Sequence, residues 1–217
     1  MHTFTEENYL KSIFHLSKNE LDTVSTNAIA ADINTAAATV TDMLKKLADK
    51  KLIKYQKYKG VLLTKSGLTA AGKIVRKHRL WETFLVNKLN FGWDEVHELA
   101  EQLEHIKSDE LMDRMDKFLG FPKFDPHGDC IPDKNGNMPS IITQPLHNAA
   151  SNSSYQLVGV SQQSTSFLKM LDKLKIKIGC KIKVMDKHHF DGSLQVRIDN
   201  QTAINISEMV AKNLIVK

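Results

Sequence analysis

The chain has 217 residues, 41% of them apolar and 25% charged, with a formal net charge of +5. That is the composition of an ordinary soluble globular protein, long enough for one large domain or two to three small ones. No run approaches the roughly 18 apolar residues of a membrane span. Residues Met1–Glu7 have neither the basic start nor the apolar core of a signal peptide, so no membrane partner and a cytoplasmic location are expected. Cys130 and Cys180 stand far apart with no C-x-x-C spacing, which excludes a disulfide framework and a zinc ribbon.

The net charge averages opposite regions. Residues 1–80 carry 14 basic against 7 acidic side chains, residues 81–135 carry 6 against 13, and residues 136–217 carry 10 against 5. A basic first third suits a polyanion such as nucleic acid, and an acidic middle third suits a cation. Solvated faces would give the same segregation.

From Glu6 to Leu16, the positions Tyr9, Leu10, Ile13, Phe14 and Leu16 follow helical spacing, with Thr5 as an N-cap. A short helix around Asn27–Asp32 comes next, then a longer one capped by Thr35 and running to about Lys50. Leu52–Tyr55 and Val61–Thr64 favour strand and flank a basic loop that ends in Gly60. Helix, short helix, longer helix and hairpin is the order of a winged helix-turn-helix. A long helix is expected over Ser66–Leu89, an acidic one from about Asp94, and another over Ser108–Leu119, closed by Gly120-Phe121-Pro122.

Residues 122–154 hold all five prolines together with many Asn, Asp, Gly and Ser, so helical periodicity stops there and a linker is expected over 136–154. From Tyr155 the alternation at Ile182, Val184, Leu194, Val196 and Ile198 has period two, broken by one short helix at Ser166–Leu174. This predicts a small SH3-like barrel, with an open sheet as the alternative. The fold class is therefore mainly α with a small β domain: winged helix-turn-helix over 1–73, helical metal-binding and dimerisation domain over 74–135, and SH3-like domain over 155–217.

The DNA-reading candidate is the helix that follows Thr35. Val40, Met43, Leu44 and Leu47 turn inward, while Ala36, Ala37, Ala38, Thr39, Thr41 and Asp42 are small or polar and let its N-terminus approach bases and phosphates. Lys45 and Lys46 would neutralise the backbone. Thr26 and Asn27, at the start of the preceding short helix, count with this face, and Lys57, Tyr58 and Lys59 form a basic wing tip.

The segment Val96–His105 would, as a helix, place His97, Glu101, Glu104 and His105 within about 100° of arc. Carboxylates one turn apart repel each other, so a helix that stacks them with imidazoles is usually faced by a cation or basic groups. His78 and Glu82 repeat the i, i+4 spacing of His97 and Glu101, so two helices could clamp ions between them. A metalloprotease H-E-x-x-H is absent, and no serine or cysteine sits in a nucleophile motif, so no enzyme is expected. His15, His127, His147, His188 and His189 read as surface or packing residues, and Cys130 as a plain loop thiol.

In the stretches Tyr9-Leu10-Lys11-Ser12-Ile13, Thr39-Val40-Thr41, Arg76-Lys77-His78-Arg79-Leu80 with Glu82, Val96–His105 and Pro126-His127-Gly128-Asp129-Cys130-Ile131-Pro132, the chain resembles the diphtheria toxin repressor family of metal-dependent repressors. Within it, the manganese-transport regulators are the nearest branch. The resemblance implies one metal site at His78, Glu82 and His97 and a regulatory site at Asn8, Glu101, Glu104 and His105, hence two sites per subunit. It also implies a homodimer on a palindromic double-stranded DNA operator. Iron-responsive members carry cysteine at the position of Glu101, and methionine or aspartate at that of Asn8. In the third domain, Gln163 stands where the family has a glutamate ligand, and Ser166 where it has the following glutamine. An all-oxygen and nitrogen donor set favours Mn(II) as effector, with Fe(II) the alternative. The rival readings are a hydrolytic metalloenzyme and a metal-free winged-helix interaction module.

Overall fold

The computed structural model describes residues 2–17, 22–56, 59–139, 141–199 and 201–217, and its contacts divide the chain into two units. The first comprises Met1–His78, Glu101–Arg114 and Ile131–Pro139. The second comprises Arg79–Ala100, Met115–Cys130 and Ser140–Lys217.

In the first unit, helices α1 (Phe4–Leu16), α2 (Thr26–Asp32) and α3 (Ala37–Asp49) precede a hairpin of β1 (Ile53–Gln56) and β2 (Gly60–Leu63), and α4 (Lys65–Leu89) begins beyond it. The cap of α1 is Thr3 rather than Thr5. The Thr3 hydroxyl accepts from the Glu6 amide at 3.3 Å, and the Glu6 carboxylate accepts from the Thr3 amide at 3.1 Å. Reciprocal bonds of this kind satisfy two donors that the first turn would otherwise leave bare, so the cap lies two residues before the expected one. Tyr9, Leu10 and Ile13 then meet Ile29, Val40 and Leu44 in a continuous apolar core.

The hairpin runs in register from Ile53 opposite Leu63 to Gln56 opposite Gly60, and Val24 joins its edge through two bonds with Val61 at 2.8 and 2.9 Å. Gly60 has φ +99, and a Cβ there would lie 2.7 Å from the Val24 carbonyl oxygen, so only glycine fits where the wing folds back. Lys57 and Tyr58 of the expected wing tip lie outside the described residues, whereas Lys59 is exposed.

Helices α5 (Val96–Leu103) and α6 (Asp109–Phe118) contribute residues to both units. The second unit adds β3 (Gln144–Pro145), a 3-10 turn at Leu146–Asn148, β4 (Ser154–Val160), α7 (Thr165–Lys173), β5 (Lys181–Lys187), β6 (Leu194–Ile198), β7 (Ile204–Ile206), α8 (Glu208–Asn213) and β8 (Leu214–Val216). The strands form one antiparallel sheet in the order β3-β8-β4-β5-β6-β7. Period-two residues Ile182, Val184, Leu194, Val196 and Ile198 all point into its core, as the alternation predicts.

Two features of this unit differ from the sequence reading. Within 136–154, assigned to a linker on composition, β3 pairs with β8, and Leu146 and Ala149 are fully buried. A second helix, α8, also interrupts the strands. It is capped by Ser207, whose hydroxyl accepts from the Val210 amide at 3.3 Å.

Candidate metal centre and nucleic-acid interface

The N-terminus of α3 is unlike those of its neighbours. The α1 and α2 ends are capped by Thr3 and Ser25, but the N-cap of α3 is Ala36, not Thr35, and it makes no side-chain cap bond. The first amides of α3 therefore project bare from an exposed surface made by Ala36, Ala37, Ala38 and Thr39. This is the arrangement that accepts a phosphate oxygen or lets a groove come close. Val40, Leu44 and Leu47 are fully buried beneath it, while Lys45 and Lys46 are exposed. The Thr41 hydroxyl donates to the Ala37 carbonyl at 2.9 Å, and Lys45 pairs with Asp42 at 3.1 Å, an exposed bond that water screens. Asn27 is exposed and Thr26 half-buried at the start of α2.

A second feature of the first unit joins its opening helix to the end of α5. Helix α5 stops at Leu103, so Glu104 and His105 occupy the turn after it rather than continuing a helical stripe. That turn carries them onto α1. The Lys11 ammonium lies 2.5 Å from Glu101 Oε1 and 2.6 and 2.8 Å from the two oxygens of Glu104. Glu104 is 0% exposed and also accepts from His78 Nδ1 at 2.6 Å. Burial alone would raise the Glu104 carboxyl, but the His78 hydrogen bond and the Lys11 charge outweigh it and hold the group below its ordinary value.

His105 Nδ1 meets Glu7 Oε2 at 2.7 Å, and its ring stacks on Phe4 with centroids 4.5 Å apart. A carboxylate can only accept, so it fixes Nδ1–H and leaves the Nε2 lone pair of neutral His105 for a ligand. His78 is likewise oriented through Nδ1, by Glu104. Phe4, Glu7 and Lys11 thus share one α1 face, and Asn8 stands between the last two. Its Oδ1 is buried and has no hydrogen-bond partner among the described residues. An orphaned oxygen, two carboxylates already gripping a cation and two imidazoles with oriented rings fit a hard divalent ion. Of the expected regulatory set, Glu101, Glu104 and His105 are brought onto α1, the helix that carries Asn8, through Lys11 and Glu7. The sequence reading missed Glu7 and Lys11, and His78 joins Glu104 here. Glu82 and His97 belong to the second unit.

In that unit Glu82 and His127 are each 2% exposed and Asp125 is 4% exposed, and the three offer ligand atoms within 4.8 Å of one another. His97 Nδ1 stands 3.4 Å from Glu82 Oε1. His127, read from the sequence as a surface or packing residue, is therefore the centre of a buried cluster. Its Nε2 donates to the Trp93 carbonyl at 2.7 Å, which turns Nδ1 toward Glu82 Oε2, 3.4 Å away and too poorly aligned for a hydrogen bond.

Burial lowers the His127 pKa, but Glu82 more than reverses this and lifts it to about 9. Asp125 is pushed up to about 7, first by burial and then by Glu82 and Asp129. Burial and the neighbouring carboxylates raise Asp125 even though the Arg79 guanidinium stands 3.6 Å from it, so two buried carboxylates and an imidazole meet here as a donor set that suits a divalent cation. The loop is pinned in place: Asp125 Oδ1 accepts from the amides of His127 and Asp129 at 2.8 and 2.9 Å, and Val160 N donates to the His127 carbonyl at 2.8 Å. Gly128 has φ +87, and a Cβ there would lie 1.9 Å from the Val158 carbonyl oxygen. Gln163 donates to Asp129 at 3.0 Å, beside this cluster rather than within it. The signal for Asp125 and His127 was present in Asp125-Pro126-His127-Gly128, two ligand types one residue apart before a turn glycine.

Comparison with known proteins gives the following matches. Residues 1–61 match the iron dependent repressor N-terminal DNA binding domain, residues 64–133 the iron dependent repressor metal binding and dimerisation domain, and residues 144–217 the FeoA domain. Among solved structures, a manganese-dependent transcriptional repressor in complex with manganese is 36% identical, with a TM-score of 0.83 over 97% of this chain and 98% of that one. A probable metal transport system membrane protein of Chlamydia trachomatis is 49% identical over 70 residues, which is 32% of this chain and 16% of that protein. The iron-dependent repressor IdeR of Mycobacterium bovis is 30% identical over 128 residues, 59% of this chain and 55% of that one. The chain thus spans about half or less of the length of these two curated relatives.

Proposed function

We propose a manganese-activated repressor of transcription that acts as a homodimer, and the premise is that this chain belongs to the iron-dependent repressor family. The observation that carries the reading is the buried Glu104, held with Glu101 by Lys11 of α1, the helix whose Glu7 meets His105 and whose Asn8 oxygen is orphaned among the described residues. Bound there, Mn(II) would supply a divalent charge that all of these groups favour at once, fastening α1 and so fixing the α3 reading face. The clusters Asn8, Glu101, Glu104, His105 and Glu82, Asp125, His127 contain oxygen and nitrogen donors and no sulfur, which supports manganese over softer ions. Fe(II) is the second reading, favoured by the likeness to IdeR.

In this reading Glu82, Asp125 and His127, with His97 beside them, form the second metal site, and Gln163 orients Asp129 at its margin. The domains are a DNA-binding domain over 1–73, a metal-binding and dimerisation domain over 74–135, a linker that ends before β3, and an SH3-like domain over 144–217. No helix among the described residues is long and apolar enough to cross a membrane. We read the protein as a cytoplasmic, non-catalytic regulator. Two-fold symmetry then implies a palindromic operator with half-sites separated by whole helical turns.

Two variants test the parts. Replacing Glu101 by Cys adds a soft donor and is expected to shift activation of DNA binding from Mn(II) toward Co(II) and Zn(II). An unaltered metal ranking would remove Glu101 from the ligands. Lys46→Ala is expected to weaken binding to all duplexes alike and to flatten the dependence of log affinity on log salt by about one per subunit. An unchanged slope would take Lys46 off the phosphate backbone.

A further inference from the structure

We infer that Lys11 is an internal competitor of the metal: its ammonium holds the carboxylates of Glu101 and Glu104 when no ion is present and has to leave them for an ion to bind. The inference rests on the metal reading above and adds the residue that sets how much metal is needed.

The geometry is that of a complete cation site. An ammonium has three N–H groups, and here three carboxylate oxygens receive them at 2.5, 2.6 and 2.8 Å. The side chain is 8% exposed, so water does little to share the task. A hard divalent ion binds carboxylate oxygens at about 2.0–2.6 Å, as Mg(II) and Ca(II) do. It would therefore occupy nearly the place of the lysine nitrogen. Two cations cannot share those oxygens in a buried setting without strong repulsion.

Lysine suits an occupant that must depart. Its charge sits on four flexible methylenes that can lie along α1 while the ammonium reaches water. The other proposed ligands do not depend on it: Asn8 Oδ1 is unpartnered among the described residues, and His105 is held by Glu7 and Phe4.

Two consequences follow. The metal-free chain keeps α1 tied to the end of α5 through the ion pairs of Lys11, so the first unit stays assembled. Metal affinity is lowered by the fraction of molecules in which Lys11 occupies the site, which places the response at a higher ion concentration than the bare ligands would give.

The test uses the full chain and MnCl2 alone, without DNA. Isothermal titration of the wild type and of Lys11→Met is expected to show Mn(II) binding tightened by about tenfold or more at this site in the variant. The metal-free variant should melt at a lower temperature than the metal-free wild type, and Mn(II) should raise its melting temperature by more. Because Lys11→Met leaves two carboxylates facing each other and could fail to fold, a second measurement uses the wild type only. Acetylation by an amine-reactive ester, mapped by mass spectrometry, is expected to modify Lys11 several-fold faster with Mn(II) than with a chelator. If the wild type binds Mn(II) but the variant binds it no tighter, or if Mn(II) leaves Lys11 equally protected, the competition is overturned while the metal reading stands. Failure of the wild type to bind Mn(II) at all overturns both.

Discussion

Glu104→Ala should abolish the metal response and also destabilise the metal-free protein. The side chain is fully buried and receives two bonds from Lys11 and one from His78. Removing it leaves the Lys11 ammonium, 8% exposed, held by Glu101 among the described residues. Breaking one side of a buried pair costs about 3–5 kcal/mol, because a charge is stranded rather than because the pair was worth that much. Denaturant unfolding of the metal-free variant measures this directly. Glu104→Gln separates the two roles. It keeps the shape and one acceptor, so the stability loss should be smaller, yet a neutral amide is a poor ligand for a hard ion. Mn(II) affinity should still fall by more than the about 10–100-fold that loss of a supporting hydrogen-bond partner costs at a metal site. A Glu104→Gln protein that binds Mn(II) like the wild type would remove Glu104 from the coordination set. The same residue sets an acid limit. Its pKa is depressed in the folded chain from an ordinary 4.5, so its contribution is present above that value and lost as pH falls through the folded one.

The sequence carried the fold where the signal is local. Apolar spacing along α1 and α3, the hairpin ending at Gly60, and the period-two run from Ile182 to Ile198 each report contacts made within an element or across one turn. It misplaced ends where capping decides them. Thr5 and Thr35 are sound capping residues, but the Thr3–Glu6 box starts α1 earlier, and α3 begins after Ala36 with no side-chain cap. The short α8 and β3 carry too few residues to show a period at all.

The candidate site divides along the same line. His97, Glu101, Glu104 and His105 were visible because four ligand-type side chains recur at helical spacing. The partners that give them their chemistry were not. Lys11 meets Glu104 across 93 positions and Glu7 meets His105 across 98, distances over which no periodicity acts. Helix α1 nonetheless held a clue. Glu6, Glu7, Lys11 and Ser12 are all buried on a helix that also buries Tyr9, Leu10 and Ile13, so its polar face needed partners too. The surroundings of His127 were hidden for the same reason, since Glu82 comes to it from a helix far away in sequence. Its raised pKa, a consequence of Glu82, has no counterpart in the order of residues.

In this account, metal binding and DNA binding are two readings of one equilibrium. Fastening α1 can favour DNA only through a difference in affinity between the arrangements it selects. Allosteric coupling of that kind typically amounts to about 5–150-fold, and it is reciprocal: whatever factor Mn(II) gives to DNA, DNA must give to Mn(II). Reciprocity separates a corepressor from an ion that merely stabilises the fold, which would raise melting temperature without changing either affinity.

The most direct measurement is fluorescence anisotropy of the full chain with a duplex selected from a random pool by the Mn(II)-loaded protein. It is made at fixed ionic strength in chelator and again after MnCl2 is restored, with Mn(II) affinity measured with and without the duplex. The account requires DNA affinity to fall by about tenfold or more in chelator, to return with Mn(II), and to be matched by an equal gain in Mn(II) affinity on the duplex. Equal affinity for the duplex in chelator and in Mn(II) would contradict it.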